Sequence, residues 1–250
     1  MSEYQTVLDR GPAPPPALDP SRTALFLDLD GTLAPIAREP NAVVPSAELT
    51  RLLKSASLRL HGRLAVISGR PLEDIDRILE GVVTPAAAVH GLVRRNAKGA
   101  ILTLPPHPGL NFARDSLDRL TDRRGILLED KRLALAVHYR KAPEAEEAVL
   151  LACRNIAATT GLVLQLGRMV AELRTPGADK GDSVRAFMAE QPFAGAVPVF
   201  VGDDLTDEDG FAAAAALGGY GVLVGEERDT AARCRLADVE AVLGWLAGSQ

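Results

Sequence analysis

One short stretch constrains the fold more than any other: the apolar residues 24–27 end abruptly in Asp28-Leu29-Asp30-Gly31-Thr32. An unbroken apolar run of this length is typical of a strand buried on both faces, as in the centre of a parallel sheet. Gly31 follows where such a strand would end, and glycine tolerates the backbone conformations of a sharp turn. Ligands of open parallel sheets gather at the carboxyl ends of the strands. We therefore expect a central strand whose end carries a functional site.

The two carboxylates of this stretch, Asp28 and Asp30, are separated by one residue. On a regular strand they would point to opposite faces, but Asp30 falls where the strand breaks, so both could approach one cation. Oxygen ligands suit a hard cation such as Mg²⁺. With that cation offsetting the charge of a phosphate, Asp28 could attack phosphorus and form an aspartyl-phosphate, while Asp30 acts as acid and base. The alternative is an ordinary acidic turn.

A second apolar run, residues 64–67, is followed by Ser68, Gly69 and Arg70 and then by a helical pattern over residues 72–79. A hydroxyl beside the free backbone N–H groups of a helix start can donate hydrogen bonds to a phosphoryl oxygen. Ser68 is therefore a candidate phosphate ligand, with Gly69 and Arg70 in the same substrate-binding turn. The alternative is a turn without a ligand.

A third strand pattern, residues 196–201, runs into an acidic segment with five carboxylates in the seven positions 203–209. Their mutual repulsion costs stability unless a cation or the start of a helix compensates for it. We expect a metal site, with Asp203 as a direct ligand and Asp207 as a further ligand or as a group that orients a water molecule.

Strand and helix patterns alternate over most of the chain, but residues 107–175 twice show a helix followed by two strands, which is typical of an α+β module. We predict an α/β fold, a Rossmann-like doubly wound parallel sheet with an inserted α+β cap domain. A strand over residues 220–224 is placed at the edge of the sheet. The predicted boundaries are a proline-rich tail over 1–22, the core over 23–106, the cap over 107–175 and the rest of the core over 176–250.

Charged residues stand where the predicted cap strands begin and end. Carboxylates and a lysine that face a cleft would suit sugar hydroxyls, each of which donates and accepts a hydrogen bond. The alternative is that these are solvated hairpin residues. His90, near the end of a predicted strand, is either structural or placed at the mouth of the site. The candidates in the cap are Glu129, Asp130, Lys131, His138, Arg140, Glu172 and Arg174.

Composition excludes several classes of protein. The 250 residues are 47% hydrophobic, enough for a sizeable core, and the net charge of −5 with no basic block gives no reason to expect binding to nucleic acid or to a membrane surface. No apolar segment reaches the roughly 18 residues of a membrane span, and residues 1–10 lack the apolar region of a secretion signal, so we expect a cytoplasmic protein. We also expect a monomer, since composition indicates no large apolar interface. Cys153 and Cys234 lie in helix-like stretches without metal-ligand spacing and are predicted to be free, buried thiols.

In chain order, the motifs at Asp28/Asp30, Ser68, Lys180 and Asp203/Asp207 resemble the four motifs of the haloacid dehalogenase (HAD) superfamily of phosphohydrolases. The resemblance implies that Mg²⁺ is held by Asp28, Asp203 and the backbone carbonyl of Asp30. It also implies that Lys180 neutralises the nucleophile and the phosphoryl group in transfer.

Further segments resemble the trehalose-6-phosphate phosphatases within that superfamily: Val89-His90-Gly91, Glu129-Asp130-Lys131, residues 137–143 and residues 202–208. This resemblance implies hydrolysis of trehalose 6-phosphate to trehalose and phosphate, the last step of trehalose biosynthesis, and a functional link to a trehalose-phosphate synthase. It implies that Glu129, Lys131 and Glu172 bind the distal glucose, whereas Arg174 stands where the family usually has lysine, so its role stays open.

Two alternatives remain at this point. A phosphatase for sucrose phosphate or for a glucosyl or mannosyl conjugate would use the same core. A signalling receiver domain also combines acidic residues, a hydroxyl and a lysine, but such domains have no counterpart to the insertion over residues 107–175.

Overall fold

The computed structural model describes residues 12–37, 42–121 and 124–248. The strands in chain order are β1 (Thr23–Leu27), β2 (Leu64–Ile67), β3 (Ala86–Ala88), β4 (Val93–Arg95), β5 (Ile101–Thr103), β6 (Leu127–Asp130), β7 (Ala134–His138), β8 (Val163–Gly167), β9 (Val170–Arg174), β10 (Val197–Gly202), β11 (Tyr220–Val224) and β12 (Cys234–Leu236). The α-helices are α1 (Ala47–Arg59), α2 (Leu72–Leu79), α3 (Gly109–Thr121), α4 (Glu146–Thr160), α5 (Lys180–Met188), α6 (Glu208–Ala216) and α7 (Val239–Gly248). Short 3₁₀ helices cover Val89–Gly91, Pro143–Ala145 and Leu205–Asp207.

Within the described residues, the strands form two separate sheets. The larger sheet has the order β12-β11-β10-β1-β2-β3-β4-β5, parallel except for the hairpin of β4 and β5 at one edge. The smaller sheet has the order β6-β7-β9-β8 and is antiparallel throughout. The predicted α/β fold with an additional α+β module is therefore confirmed.

Strand β1 lies in the middle of the larger sheet because every one of its side chains is apolar or easily buried, and all five residues are buried. Its alternate residues enter two different apolar clusters. Leu25 and Leu27 pack on the side of α1 and α7, whereas Phe26 packs on the other side with the aromatic rings of α5 and α6. The ring centroid of Phe26 is 5.5 Å from that of Phe193. Helices thus cover both faces of the sheet, and only its strand ends are left to form a site.

The smaller sheet has an apolar cluster of its own. One of its faces packs against α3 and α4, and the residues of this cluster all fall between positions 110 and 173. The predicted cap segment therefore buries its apolar side chains against one another. Its predicted boundaries, at 106/107 and 175/176, stay predictions. The other face of this sheet is turned toward the strand ends of the larger sheet, as its polar contacts show below.

Two predictions about the edge of the larger sheet are wrong. Strand β11 is not an edge strand, because β12 pairs with it in parallel. Cys234 lies in β12 and not in a helix, since a three-residue strand is too short to leave a periodic pattern in the sequence. Cys153 lies in α4 as predicted, and both thiols are free and buried.

The described part of the proline-rich tail lies against the edge of the larger sheet. The carbonyl of Ala13 accepts the backbone N–H of Arg235 in β12, and the carbonyl of Pro16 accepts the indole N–H of Trp245 at 2.9 Å. Predictions for residues 1–11 lie outside the described residues. None of the described helices has both the length and the apolar composition that crossing a membrane requires.

We predict that Phe26→Ala lowers the free energy of unfolding by about 3–5 kcal/mol, because it removes a fully buried ring from a close-packed aromatic cluster. Phe112→Ala is the matched control, since that ring is 53% exposed on α3 and its loss should cost less than about 1 kcal/mol. Urea unfolding followed by circular dichroism measures both values. Equal losses in the two variants would contradict the assigned packing.

Candidate active site

A cavity of about 250 Å³ lies between the carboxyl ends of β1, β2 and β10 and the polar face of the smaller sheet. It brings together side chains that are far apart in sequence. The sequence-predicted residues that line it are Asp28, Asp30, Ser68, Gly69, Arg70, His90, Glu129, Lys131, Arg140, Glu172, Lys180 and Asp203.

At the base of the cavity, Lys180 bridges two aspartates. Its Nζ donates to Oδ1 of Asp28 at 2.7 Å and to Oδ1 of Asp207 at 2.6 Å, and all three side chains are buried. Asp28 follows β1, Lys180 begins α5 and Asp207 ends the 3₁₀ turn after β10. Burial alone would lower the pKa of Lys180, but Asp207 and Asp28 outweigh it and hold that pKa well above its usual value. Lys180 is therefore a permanent cation between two carboxylates.

The carboxylates at this point outnumber the cation. Oxygen atoms of Asp28, Asp203 and Asp207 lie within 4.8 Å of one another. Burial and then the neighbouring charge of Asp207 raise the pKa of Asp203 to about 7. Burial also raises the pKa of Asp28 well above its usual value, against the opposing effect of Lys180. Three crowded carboxylates, two of them with raised pKa values, are a donor set that fits a hard divalent cation.

Gly31 makes the close approach of this acidic loop possible. A Cβ atom at position 31 would lie 2.1 Å from Oδ2 of Asp203, and the backbone φ of +84° favours glycine as well. The glycine of the first motif is thus required by contact with a loop about 170 residues later.

The position of Asp30 differs from the expectation that its side chain approaches the same cation as Asp28. The guanidinium of Arg70 donates to both oxygens of Asp30, from Nε at 2.6 Å and from Nη2 at 2.7 Å. The carboxylate of Asp30 is therefore absent from the acidic cluster of Asp28, Asp203 and Asp207. Arg70 comes from the turn between β2 and α2, which the sequence placed correctly beside Ser68.

Ser68 lies in the cavity wall near this pair. Its side chain is buried, and its Oγ accepts the backbone N–H of Arg70 at 3.2 Å. The hydroxyl proton remains to be donated to a ligand in the cavity.

The smaller sheet supplies the opposite wall. Nζ of Lys131 donates to Oε2 of Glu172 at 2.8 Å and to the carbonyl of Gly69 at 2.9 Å, so it joins the smaller sheet to the β2–α2 turn. Burial would raise the pKa of Glu172, but Lys131 and His90 outweigh it and keep that pKa far below the usual range. Glu129 pairs with His138 at 2.8 Å at the more open side of this wall.

His90 and Arg140 occupy two further positions around the cavity. His90 is buried, with a backbone φ of +56° in the 3₁₀ turn after β3, and its ring touches residues of the smaller sheet. The guanidinium of Arg140 donates to the carbonyl of Ala37 and, at 3.0 Å, to that of Arg168. Both predicted residues therefore lie where the two sheets meet.

The family model for trehalose-phosphatase matches residues 26–240 of this chain. The chain belongs to the trehalose-phosphatase family. It is 40% identical to the trehalose-6-phosphate phosphatase of Escherichia coli (strain K12), over 90% of this chain and 86% of that protein. It is 37% identical to a probable trehalose-phosphate phosphatase of Sinorhizobium fredii, over 81% of this chain and 77% of that one.

Solved structures agree with the fold of this trehalose-phosphatase family member. A trehalose-6-phosphate phosphatase related protein superposes with a TM-score of 0.76 at 27% identity, over 90% of this chain and 95% of the other. The C-terminal domain of the Candida albicans trehalose-6-phosphate phosphatase reaches a TM-score of 0.83 at 22% identity, over 96% and 98% of the two chains. A HAD-superfamily phosphatase from Bacteroides thetaiotaomicron shares the fold at a TM-score of 0.60 and 18% identity, over 92% and 96% of the two chains.

The sequence analysis missed three polar residues of the trehalose-phosphatase cavity, Gln165, Arg168 and Thr206. Gln165 lies inside β8 between apolar neighbours, and a single polar residue in a strand does not indicate which face of the strand is exposed to solvent. Only the pairing of Gln165 opposite Glu172 in β9 places it on the cavity face. Arg174, by contrast, donates to the carbonyl of Ala178 at 2.5 Å and holds the segment that returns to α5.

We predict that Asp203→Asn changes thermal stability in opposite directions with and without metal. The pKa of Asp203 lies above its unfolded value, so its charge carries a stability cost that is full above about pH 7 and shrinks as the pH falls from there toward the unfolded pKa. In EDTA at about pH 8, the variant should therefore unfold at the same temperature as the wild type or above it. Adding MgCl₂ should raise the unfolding temperature of the wild type more than that of the variant, since a cation that binds only the folded state stabilises it.

Differential scanning fluorimetry in EDTA and in MgCl₂ measures the four unfolding temperatures. Asp115→Asn is the matched control, because that carboxylate is exposed on α3 and its removal should leave the response to MgCl₂ unchanged. A wild type that shows no response to MgCl₂ would count against a cation site at these residues.

Proposed function

We propose that this chain hydrolyses trehalose 6-phosphate to trehalose and inorganic phosphate through an aspartyl-phosphate. The observation that carries the proposal is one cavity with two different walls. The wall from the larger sheet holds Asp28, Lys180 and an acidic cluster, as phosphoryl transfer requires, and the wall from the smaller sheet holds the buried pair Lys131 and Glu172, as recognition of hydroxyls requires.

Asp28 is the proposed nucleophile. Lys180 holds one of its oxygens, and the other attacks phosphorus in line with the departing sugar oxygen. Lys180 also lies beside the position of the transferring phosphoryl group and stabilises its equatorial oxygens, together with the hydroxyl of Ser68 and the turn of Gly69 and Arg70.

Asp30 is the proposed acid and base. Because its carboxylate is paired with Arg70, it can take this role only when that ion pair loosens. An arriving phosphate dianion competes for the guanidinium of Arg70, since a planar guanidinium binds phosphate as well as carboxylate. Once that ion pair loosens, Asp30 can take up a proton from solvent, give it to the leaving oxygen and, again a carboxylate, take a proton from the water that attacks the aspartyl-phosphate.

Mg²⁺ is the proposed cation, with Asp28, Asp203 and the backbone carbonyl of Asp30 as ligands. When bound, it offsets the charge of the phosphate and of the crowded carboxylates. Asp207 directs Oδ1 to Lys180 and accepts the backbone N–H groups of Asp203 and Asp204 at Oδ2, 3.0 Å each. We assign Asp207 to holding this loop and Lys180 in place and to orienting a water molecule of the cation.

Glu129, Lys131 and Glu172 are the proposed ligands of the distal glucose, with His90 and Arg140 beside them. Lys131 forms an ion pair with Glu172, and Glu129 contacts the ring of His138, so sugar hydroxyls would compete with these contacts. We further propose that residues 107–175 form a cap domain, that the chain is a cytoplasmic monomer, and that its substrate comes from a trehalose-phosphate synthase. The trehalose-6-phosphate phosphatase of Escherichia coli, 40% identical, supports the assignment of the substrate.

We predict that phosphate release with Mg²⁺ is much faster from trehalose 6-phosphate than from sucrose 6-phosphate or glucose 6-phosphate. Asp28→Asn should lower kcat for every ester by at least about a thousandfold, because it removes the nucleophile. Glu172→Gln should raise KM for trehalose 6-phosphate about tenfold or more and leave glucose 6-phosphate hydrolysis nearly unchanged, because it removes a charged hydrogen-bond acceptor from the sugar-binding wall. A malachite-green assay measures all three esters.

Glu240→Gln is the control for the second variant, since this glutamate is exposed at the start of α7. Equal turnover of the three esters by the wild type would refute the assignment of Glu129, Lys131 and Glu172 while leaving the phosphoryl-transfer chemistry intact. No turnover of any ester would refute the proposed activity as a whole.

A further inference from the structure

The ring of His90 is held from two sides by residues of the smaller sheet. Its Nδ1 lies 3.0 Å from Nε2 of Gln165, and its Nε2 lies 3.6 Å from Oε1 of Glu172. Gln165 and Glu172 are direct cross-strand partners in β8 and β9, so they reach the ring as one rigid pair. His90 itself lies in the 3₁₀ turn that follows β3 of the larger sheet, and this contact therefore crosses the cavity.

The position of the ring leaves little freedom to turn. Gly69 packs so closely that a Cβ atom there would lie 2.4 Å from Nε2 of His90. The backbone N–H of His90 donates to the carbonyl of Ser68 at 3.0 Å, and this bond ties the turn of His90 to the turn of Ser68. Which ring nitrogen faces Glu172 is thus decided by packing.

The surroundings also decide which nitrogen carries the proton. Burial lowers the pKa of His90, against the opposing effect of Glu172, so the ring is neutral and has one N–H. A bare Nε2 facing the carboxylate of Glu172 would place two acceptors against each other, whereas an N–H there faces a negative charge. The proton therefore belongs on Nε2, and Nδ1 is left as an acceptor for the side-chain amide of Gln165.

The two carboxylate oxygens of Glu172 differ in their hydrogen bonding. Its Oε2 accepts from Lys131, whereas Oε1 is buried without a hydrogen-bond partner among the residues that the structure describes. An unpartnered buried carboxylate oxygen is costly, and the 3.6 Å to Nε2 of His90 is too long for a hydrogen bond. A hydroxyl placed beside both atoms would accept from Nε2–H and donate to Oε1, which satisfies each of them.

We propose that Gln165 is a positioning residue for substrate recognition: its amide N–H donates to Nδ1 of His90 and keeps the ring proton on Nε2, so that this N–H and Oε1 of Glu172 together bind one sugar hydroxyl. The hydroxyl part of this inference rests on the proposed function. Gln165 itself acts through His90.

Steady-state kinetics with two substrates test the inference. Gln165→Met removes the amide donor and keeps an unbranched side chain of similar length. It should raise KM for trehalose 6-phosphate roughly three- to tenfold, the worth of one hydrogen bond, with kcat nearly unchanged. Hydrolysis of p-nitrophenyl phosphate, which has no sugar, should not change. Leu166→Met is the matched control, because this neighbour on β8 is 41% exposed and does not line the cavity.

Long-range ¹H–¹⁵N correlation spectra of the histidine rings provide a readout that a structural role would not move. His90→Gln assigns the signal of His90 among the 4 histidines of the chain. The wild type should show the Nε2–H tautomer, and Gln165→Met should show a mixture of both tautomers. A wild-type ring protonated on Nδ1, an unchanged tautomer and KM in Gln165→Met, or an equal loss on both substrates would each overturn the inference.

The two proposals fail in different ways. A wild type that hydrolyses p-nitrophenyl phosphate but not trehalose 6-phosphate refutes the proposed function. In that case the Nε2–H tautomer and its loss in Gln165→Met would still support the positioning role, and an Nδ1–H ring would overturn it.

Discussion

The contact on which the site depends is the buried ion triad in which Lys180 lies between Asp28 and Asp207. Each member comes from a different element, so the triad joins the end of β1, the start of α5 and the loop after β10. Buried ion pairs add little net stability, because desolvation offsets their attraction, but removing one partner leaves an uncompensated charge. The triad therefore acts mainly as a constraint on geometry: a lysine already paired with the proposed nucleophile is also held where a phosphoryl group would bind.

The carboxylates around the triad outnumber its one lysine, so this wall of the cavity carries excess negative charge. The opposite wall differs from it electrostatically. Around the triad, Asp203 forms no salt bridge with the described residues, and its pKa is raised to about 7. On the opposite wall Lys131 forms an ion pair with Glu172, and Glu129 contacts the ring of His138. The first wall is suited to a cation and a phosphate, and the second is suited to neutral hydroxyl groups. One cavity can thus hold the two chemically different ends of a sugar phosphate.

The same residues that are assigned to recognition also hold the two sheets together. Lys131 donates to the carbonyl of Gly69, and Gln165 meets the ring of His90, so contacts from the smaller sheet converge on the turns that follow β2 and β3. Two glycines let the loops at the strand ends of the larger sheet pack closely, because side chains at Gly31 or Gly69 would collide with Asp203 or His90. Recognition of the sugar and closure of the cavity are therefore coupled through one set of hydrogen bonds, and sugar hydroxyls would have to compete with some of them.

The sequence by itself determined the central strand, the α/β alternation, the helix–strand–strand repeat of residues 107–175 and the motif residues from Asp28 to Asp207, because apolar periodicity and clustered charges are local properties. Tertiary structure alone decided what each charge faces. It paired Asp30 with Arg70, placed β12 beside β11, and put Gln165 opposite Glu172 on the cavity face. These outcomes depend on strand register and on contacts between residues up to 40 positions apart, and no local pattern encodes which face or which partner a side chain will meet.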